Sequence, residues 1–329
     1  MQSIGRFALA LSCCLFAASA VGARTFEFEY RVTVPALPEG TGPIHLFIPL
    51  PATDAFQRVL NEEITASTPG EIGTETVYGN RFYHVTAPSD GHAIEVVLRA
   101  TVDREPTRAV AGVGDADLAR FLRGSSRVVI DHPVLRPILE EIRATAGPGA
   151  TPEKARAIYD WVVDHMEYKK IGRGWGNGDT FWACSERYGN CTDFHALFTS
   201  LARTEGIPAR FEIGFPIPED RSEGTIDGYH CWVAFHLPQT GWFPIDASEA
   251  FQHPERRELF YGRYPADRIH FTTGRDLRLG PGHEGPALNY FIYPYLEVGG
   301  RPYTGPIEKA FRYRDIDAAA RTRVSQAPR

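Results

Sequence analysis

Apolar and polar residues alternate along the chain from residue 24 onward. The apolar positions of this first stretch share one face and are Phe26, Phe28, Tyr30, Val32 and Val34. A period of two residues is typical of a strand that buries one face. Further strands are predicted at 44–47, 74–78, 81–85 and 94–102, with Gly79 and Asn80 as a two-residue hairpin turn. Residues 24–105 are therefore predicted to form a β-sandwich-like domain.

Helical spacing replaces this alternation after residue 105. Amphipathic patterns at 118–122 and 136–146 lead us to interpret residues 106–150 as a helical connector. The next helix has a clear start signal. Thr151 is a good N-cap, and Pro152 suits the first helical position.

Cys191 precedes another strongly helical segment. Apolar residues recur at Phe194, Leu197 and Phe198, and Gly206 ends the segment. The cysteine therefore begins a buried helix. The free N–H groups and the dipole at a helix N-terminus favour a thiolate over a thiol, and the same N–H groups can receive a developing oxyanion. Cys191 is thus a candidate nucleophile.

Two further strands are predicted after this helix. On the second, over 229–237, His230 faces one side and Cys231 faces the other. The chain then turns and returns antiparallel to that strand until it reaches Asp246. This return can bring the carboxylate beside His230, so we expect Cys191, His230 and Asp246 to share one cleft.

Four sequence motifs occur in a fixed order around these residues. They are Gly189-Asn190-Cys191-Thr192-Asp193-Phe194, Gly206-Ile207-Pro208-Ala209-Arg210, His230-Cys231-Trp232-Val233 and Gly241-Trp242-Phe243-Pro244-Ile245-Asp246. Together they resemble the transglutaminase-like core of bacterial proteins. The resemblance implies a papain-related α+β fold over residues 151–250, in which a helix carrying the cysteine packs on an antiparallel sheet. It also implies that Cys191 is the nucleophile, His230 its base and Asp246 the residue that orients the histidine.

The resemblance further implies a second donor to the oxyanion, commonly a tryptophan. Trp182 and Trp175 are the candidates for this role, and Trp232 is interpreted as a wall of the cleft. Each of the three could equally serve in core packing. A zinc site is disfavoured, because the chain has neither C-x-x-C nor H-E-x-x-H spacing. We expect no metal and no cofactor.

The first 23 residues have the pattern of a signal peptide. Arg6 precedes an apolar run over 7–18, and small residues lead to Ala23, with a second candidate cleavage site at Ala20. An uncleaved anchor or a lipid-attached start at Cys13 or Cys14 are alternatives. No later apolar run approaches the ~20 residues that span a bilayer. We therefore expect an exported protein, periplasmic or secreted, without stable membrane insertion after cleavage.

Cleavage at this position leaves three cysteines, Cys184, Cys191 and Cys231. In an oxidising compartment Cys184 and Cys231 could form a disulfide that leaves Cys191 free. The alternative is that both stay buried and reduced.

The chemistry expected of such a thiol is attack on an amide carbonyl, with a thioester intermediate. The substrate could be a peptide, a protein or a cell-wall amide. Water as the acceptor gives a cysteine protease or amidase, which we favour, whereas an amine acceptor gives a cross-linking protein-glutamine γ-glutamyltransferase. A catalytically inactive binding module is a third alternative. The formal charge of −6 offers no basic surface, so nucleic-acid binding is not expected.

The remaining residues carry weaker signals. We predict a C-terminal α+β extension over 251–311 and a loosely ordered polar tail over 312–329. His253, His270 and His283 lack matching partners in the sequence and are interpreted as surface or core histidines.

Overall fold

The computed structural model describes residues 22–110 and 117–316. Its strands are β1 (Arg24–Val34), β2 (Ile44–Pro49), β3 (Gln57–Ala66), β4 (Gly70–Thr74), β5 (Arg81–Ala87), β6 (Ile94–Arg104), β7 (Thr107–Arg108), β8 (Glu167–Tyr168), β9 (Tyr188–Gly189), β10 (Ala209–Pro216), β11 (Glu223–Thr225), β12 (His230–Leu237), β13 (Gly241–Ile245), β14 (Arg263–Tyr264), β15 (Arg268–Thr273), β16 (Tyr295–Val298), β17 (Arg301–Pro302) and β18 (Glu308–Asp315). Its α-helices are α1 (Arg136–Ala146), α2 (Pro152–His165), α3 (Thr180–Glu186), α4 (Cys191–Thr204) and α5 (Ala247–Gln252). Short 3-10 helices lie at Leu118–Leu122, Pro133–Leu135 and Pro254–Arg256. Residues 1–21, with most of the predicted signal peptide, lie outside the described residues.

Two antiparallel sheets pack face to face as a β-sandwich. One has the strand order β11-β18-β1-β6-β3, and the other has β17-β16-β2-β5-β4. The apolar face of β1 lies between them, where Phe26, Phe28 and Tyr30 are fully buried. Full burial of one such large side chain stabilises a fold by roughly 1.5–3 kcal/mol. The alternation of apolar and polar residues in the sequence therefore predicts which face of β1 points into the sandwich.

Two details of the sandwich differ from the sequence prediction. The predicted strand at 74–78 is wrong, because the strand that pairs with β5 is β4. The residues that follow β4 form a longer turn instead of a two-residue hairpin at Gly79 and Asn80, since the Glu75 carboxylate accepts the backbone N–H groups of Val77 and Tyr78. Sequence analysis also failed to predict β3, in which apolar residues are few and half-buried.

The second half of the chain packs α4 against the antiparallel sheet β13-β12-β10-β15. Helix α2 begins as predicted, with the Thr151 hydroxyl accepting the N–H of Lys154 at 3.1 Å. Helices α2, α3 and α5 contact α4 on its other sides, so α4 is buried along nearly its whole length. The predicted α+β core, a helix that carries the cysteine on an antiparallel sheet, is confirmed.

The opposite face of this sheet is continuous with the core of the sandwich. Phe215 of β10 and Phe271 of β15 pack against Phe28, with ring centroids 5.4 and 5.5 Å away. The side chain of Gln57 also accepts the N–H of His270 and donates to the carbonyl of His270, both at 2.7 Å. The sandwich and the α+β core therefore share one hydrophobic interior.

The C-terminal strands complete the sandwich. Strand β18 pairs with β1 from Phe26↔Asp315 to Thr33↔Glu308, and β16 pairs with β2. The extension predicted over 251–311 is thus divided between the two halves. The tail predicted to be loose from residue 312 begins inside β18, where Tyr313 is buried. Across the described residues, no helix combines the length and apolar character needed to cross a membrane.

Candidate active site

Cys191 occupies the first position of α4 and is 1% exposed. The preceding Asn190 caps the helix, since its Oδ1 accepts the N–H of Thr192 at 3.0 Å. Asp193 reciprocates, because its Oδ2 accepts the N–H of Asn190 at 2.9 Å. The sulfur therefore lies where the helix dipole favours a thiolate.

His230 and Asp246 meet because β12 and β13 run antiparallel. His230 begins β12, and Asp246 directly follows β13 as the N-cap of α5. The Nε2–H of His230 donates to Oδ2 of Asp246 at 2.7 Å, and both side chains are buried. This leaves Nδ1 of the imidazole for Cys191, so the structure brings the three predicted residues together.

The charges of these groups are strongly coupled. Burial opposes ionisation of Cys191, but hydrogen bonds from Cys231 and His230, together with the positive charge on His230, lower the pKa of Cys191 to about 5. Burial likewise opposes a charged His230, yet the carboxylate of Asp246 raises the pKa of His230 well above its ordinary value. The site therefore favours a thiolate–imidazolium pair at neutral pH.

Asp246 is held from several sides, partly by residues that sequence analysis did not predict. Arg268 donates to Oδ2 at 2.9 Å, and Ser248 Oγ and the N–H of Glu249 donate to Oδ1 at 3.0 and 3.1 Å. The guanidinium of Arg268 lies over the ring of Trp232, 5.0 Å from its centroid. Burial opposes the charged carboxylate, but the positive charges on His230 and Arg268 keep the pKa of Asp246 below its ordinary value.

Cys231 also belongs to the site, because the side of β12 that it occupies, opposite to His230 as predicted, packs against α4. Burial opposes ionisation of Cys191, but hydrogen bonding from the thiol and the backbone N–H of Cys231 helps to lower the pKa of Cys191. Behind Cys231, Nε2 of His195 accepts the N–H of Ala247 at 3.2 Å, so the ring proton is on Nδ1, 3.4 Å from the Cys231 sulfur. Burial lowers the pKa of His195 to about 3, so this ring is neutral and acts as a donor.

The disulfide considered between Cys184 and Cys231 is absent. Both residues are buried free thiols among the described residues, as is Cys191. Cys184 packs in the core of the α+β half, and burial raises its pKa to about 11. The structure therefore agrees with the alternative in which Cys184 and Cys231 are buried and reduced.

The three tryptophans have different surroundings. The indole of Trp182 donates to the carbonyl of Tyr188 at 2.9 Å, and that of Trp232 donates to Glu212 at 2.7 Å. Trp232 is fully buried, so it packs in the core rather than lining an open cleft. Trp175 is half-buried in the loop before α3.

That loop is fixed to the start of α4 by Asp193. Its carboxylate accepts the N–H of Gly176 at 2.6 Å and that of Gly178 at 3.0 Å. Burial raises the pKa of Asp193 to about 6. The loop therefore borders Cys191 at the start of α4, and Asp193 holds it there.

The three C-terminal histidines have partners that the sequence did not suggest. His270 contacts Asp54 at 2.9 Å through Nδ1. His283 accepts the N–H of Leu279 at 3.0 Å. His253 lies 3.7 Å from Glu249, whose carboxylate is also 3.9 Å from His230.

Comparison with known proteins agrees with this architecture. Residues 137–247 match the sequence profile of the transglutaminase-like superfamily. This part of the chain is therefore a transglutaminase-like domain. An uncharacterized protein of Haemophilus influenzae is 26% identical over 340 aligned positions, which cover 88% of this chain and 90% of that protein.

One solved structure extends the likeness in fold to most of the chain. A proposed cysteine protease from Cytophaga hutchinsonii has a TM-score of 0.60 at 19% identity, covering 90% of this chain and 92% of that one. The periplasmic domain of TgpA from Pseudomonas aeruginosa has a TM-score of 0.32 at 19% identity, covering 73% of this chain and 92% of that one. Of these two, only the Cytophaga hutchinsonii structure is similar enough to support the fold. Its alignment covers 90% of this chain and therefore includes the sandwich as well as the α+β core.

Proposed function

We propose that the chain is an exported thiol hydrolase that cleaves amide bonds in a peptide, a protein or cell-wall material. The observation that carries the proposal is the buried contact of Cys191 with His230, whose other ring nitrogen is held by Asp246 at 2.7 Å. A buried thiol with a lowered pKa beside an oriented imidazole is the arrangement that nucleophilic catalysis requires.

The proposed reaction has two stages. The Cys191 thiolate attacks the amide carbonyl, and the tetrahedral intermediate collapses as the C–N bond breaks and the imidazolium of His230 gives its proton to the leaving amine. His230, now neutral, then takes a proton from water as the water attacks the thioester, and the C–S bond breaks to release the carboxylic acid and restore the thiolate–imidazolium pair. Asp246 keeps the imidazole in the required tautomer and stabilises its charge.

A panel of peptides and simple amides, incubated with the purified protein and followed by mass spectrometry, tests the proposal. We expect cleavage with uptake of water, lost in C191A and H230A. Parallel reactions with an added primary amine separate hydrolysis from transfer. Incorporation of the amine in place of water would assign the cross-linking reaction instead.

A thiol probe tests the third alternative, a binding module. Iodoacetamide is expected to label Cys191 rapidly at neutral pH, and H230A is expected to slow this labelling sharply. A Cys191 that stays unreactive at neutral pH in the wild type would contradict an enzymatic function.

Export is proposed from the pattern of residues 1–23 and is tested separately. The mature protein recovered from the producing cells is expected to begin at Arg24. An intact mass that retains the first 23 residues would contradict cleavage.

A further inference from the structure

An acyl-transfer reaction at Cys191 needs hydrogen-bond donors for the carbonyl oxygen that becomes negatively charged. The start of α4 supplies one. The N–H groups of Thr192 and Asp193 are taken by Asn190, through Oδ1 and the backbone carbonyl respectively. The N–H of Cys191 itself has no acceptor among the described residues, so it is available to the substrate.

The tryptophans provide a poor second donor. The indole N–H groups of Trp182 and Trp232 are already bonded to Tyr188 and Glu212. The indole of Trp175 has no acceptor among the residues that the structure describes, but no contact joins it to Cys191. The second donor to the oxyanion is therefore expected among side chains that contact a residue next to Cys191.

The hydroxyl of Tyr229 meets this requirement. It accepts a hydrogen bond from Nδ2 of Asn190, the residue before the nucleophile, at 3.0 Å. It also lies 3.4 Å from the hydroxyl of Tyr290, but Tyr290 donates its own proton to the carbonyl of Gly176 at 3.0 Å. The proton of Tyr229 thus has only a long contact, compared with about 2.7–2.8 Å for a good O–H···O bond.

The position of this hydroxyl also fits an oxyanion donor. Asn190 directly precedes Cys191 at the N-terminus of α4, and Gly176 is held to the same turn by Asp193. Burial and the charge on Cys191 raise the pKa of Tyr229, so the phenol stays protonated and able to donate. The charge on Cys191 acts on Tyr168 as well, but no hydrogen bond among the described residues joins the Tyr168 hydroxyl to the N-terminus of α4.

We propose that the hydroxyl of Tyr229 is the second oxyanion donor, with the N–H of Cys191 as the first. This inference rests on the acyl-transfer chemistry proposed above. As the bond between Sγ and the carbonyl carbon forms, the π electrons move to the oxygen and the Tyr229 proton turns from Tyr290 to that oxygen. The donation from Asn190 polarises the phenol in the same direction.

The experiment compares the acylation of Cys191 by p-nitrophenyl acetate in the wild type and in Y229F, from the burst of p-nitrophenol. Loss of one oxyanion donor costs about 100- to 1000-fold in rate, so we expect the burst rate of Y229F to fall at least 100-fold. Y168F removes a hydroxyl that is also near Cys191, and its burst rate is expected to stay close to wild type. Iodoacetamide alkylation forms no oxyanion, so its rate should be the same in all three proteins and shows that the site is intact.

Equal burst rates in Y229F and the wild type would overturn the proposal. A loss in W175F with none in Y229F would do so as well and would assign the role to Trp175. A failure of the proposed amide hydrolysis has a different signature, because the wild type would then give the ester burst and turn over no amide. A burst that Y229F abolishes would still support Tyr229 as the donor in that case.

Discussion

Arg268 donates to Oδ2 of Asp246 at 2.9 Å, the same carboxylate oxygen that accepts from His230 at 2.7 Å. Two cationic groups thus converge on one buried oxygen. The guanidinium is 2% exposed and is also stacked 4.4 Å from the ring centroid of Tyr264. Arg268 is therefore a positioning residue that holds the carboxylate on which the imidazole depends.

Replacement of Arg268 by methionine is expected to destabilise the protein. Breaking a buried ion pair by removing one partner typically costs about 3–5 kcal/mol, because the remaining charge stays buried. Urea denaturation measures this cost. R268K keeps the charge and should lose less stability, and an R268M protein with an unchanged denaturation midpoint would contradict the role.

The pH dependence of activity is expected to be bell-shaped with a wide plateau. The thiolate forms as pH rises through about 5, the lowered pKa of Cys191, instead of through the ordinary thiol value near 8.5. The imidazolium is lost only well above the ordinary pKa of histidine, because Asp246 raises the pKa of His230. The rate of Cys191 alkylation, measured as a function of pH, locates the acid limb of the profile. H230A should move that limb to higher pH.

Loss of the Cys231 thiol is expected to make Cys191 harder to ionise. A hydrogen bond to a charged group contributes about 1.5–3 kcal/mol, so C231A should raise the pKa of Cys191 by about one to two units. The alkylation profile reads this shift directly. C231S retains a donor and should shift less, while C184A, which alters a thiol in the core, should leave the profile in place.

Asp193 is expected to control the loop that borders the nucleophile. Asparagine has one acceptor oxygen where aspartate has two, so D193N cannot accept the N–H groups of both Gly176 and Gly178 as the carboxylate does. The loop should then open more often. Trypsin cleavage after the exposed Arg173 should be faster in D193N than in the wild type, and equal cleavage rates would count against this anchoring.

Glu205 carries a buried charge far from the chemistry. Its carboxylate lies 3.0 Å from Nζ of the fully buried Lys154 and accepts from Arg143 at 2.6 Å. E205Q should destabilise the fold by about 3–5 kcal/mol in urea denaturation, since the ammonium loses its counter-charge. E258Q is the matched control, because Glu258 pairs with Arg156 at an exposed site and such pairs contribute about 0–1 kcal/mol.

The sequence predicted the parts of the site that depend on local signals. Asn190 and Gly206 delimit α4, and the alternation along β12 followed by a tight turn is enough to pair it with β13. These features depend on residues close in sequence. The proximity of Cys191, His230 and Asp246 could be predicted because each residue lies at one end of these elements. Cys191 begins α4, His230 begins β12, and Asp246 directly follows β13.

Contacts between segments that are distant in sequence could not be predicted from the pattern of apolar and polar residues. Arg268 reaches Asp246 from the start of β15, and nothing near it in sequence distinguishes it from a surface arginine. Cys231 keeps its predicted side of β12, opposite to His230, but alternation does not tell which residues of α4 that side meets, and there its sulfur lies 3.4 Å from Nδ1 of His195. The predicted tail over 312–329 is wrong for its first residues, which form the second half of β18, because the buried residues of that strand are only Phe311 and Tyr313.

The pairing of β18 with β1 joins the two extremes of the described chain. Strand β1 is synthesised well before its partner β18, so this edge of the sandwich cannot close until residues 308–315 have been made. Because the sheet that bears His230 packs on that sandwich, the surroundings of Cys191 are expected to become ordered only once β18 is in place.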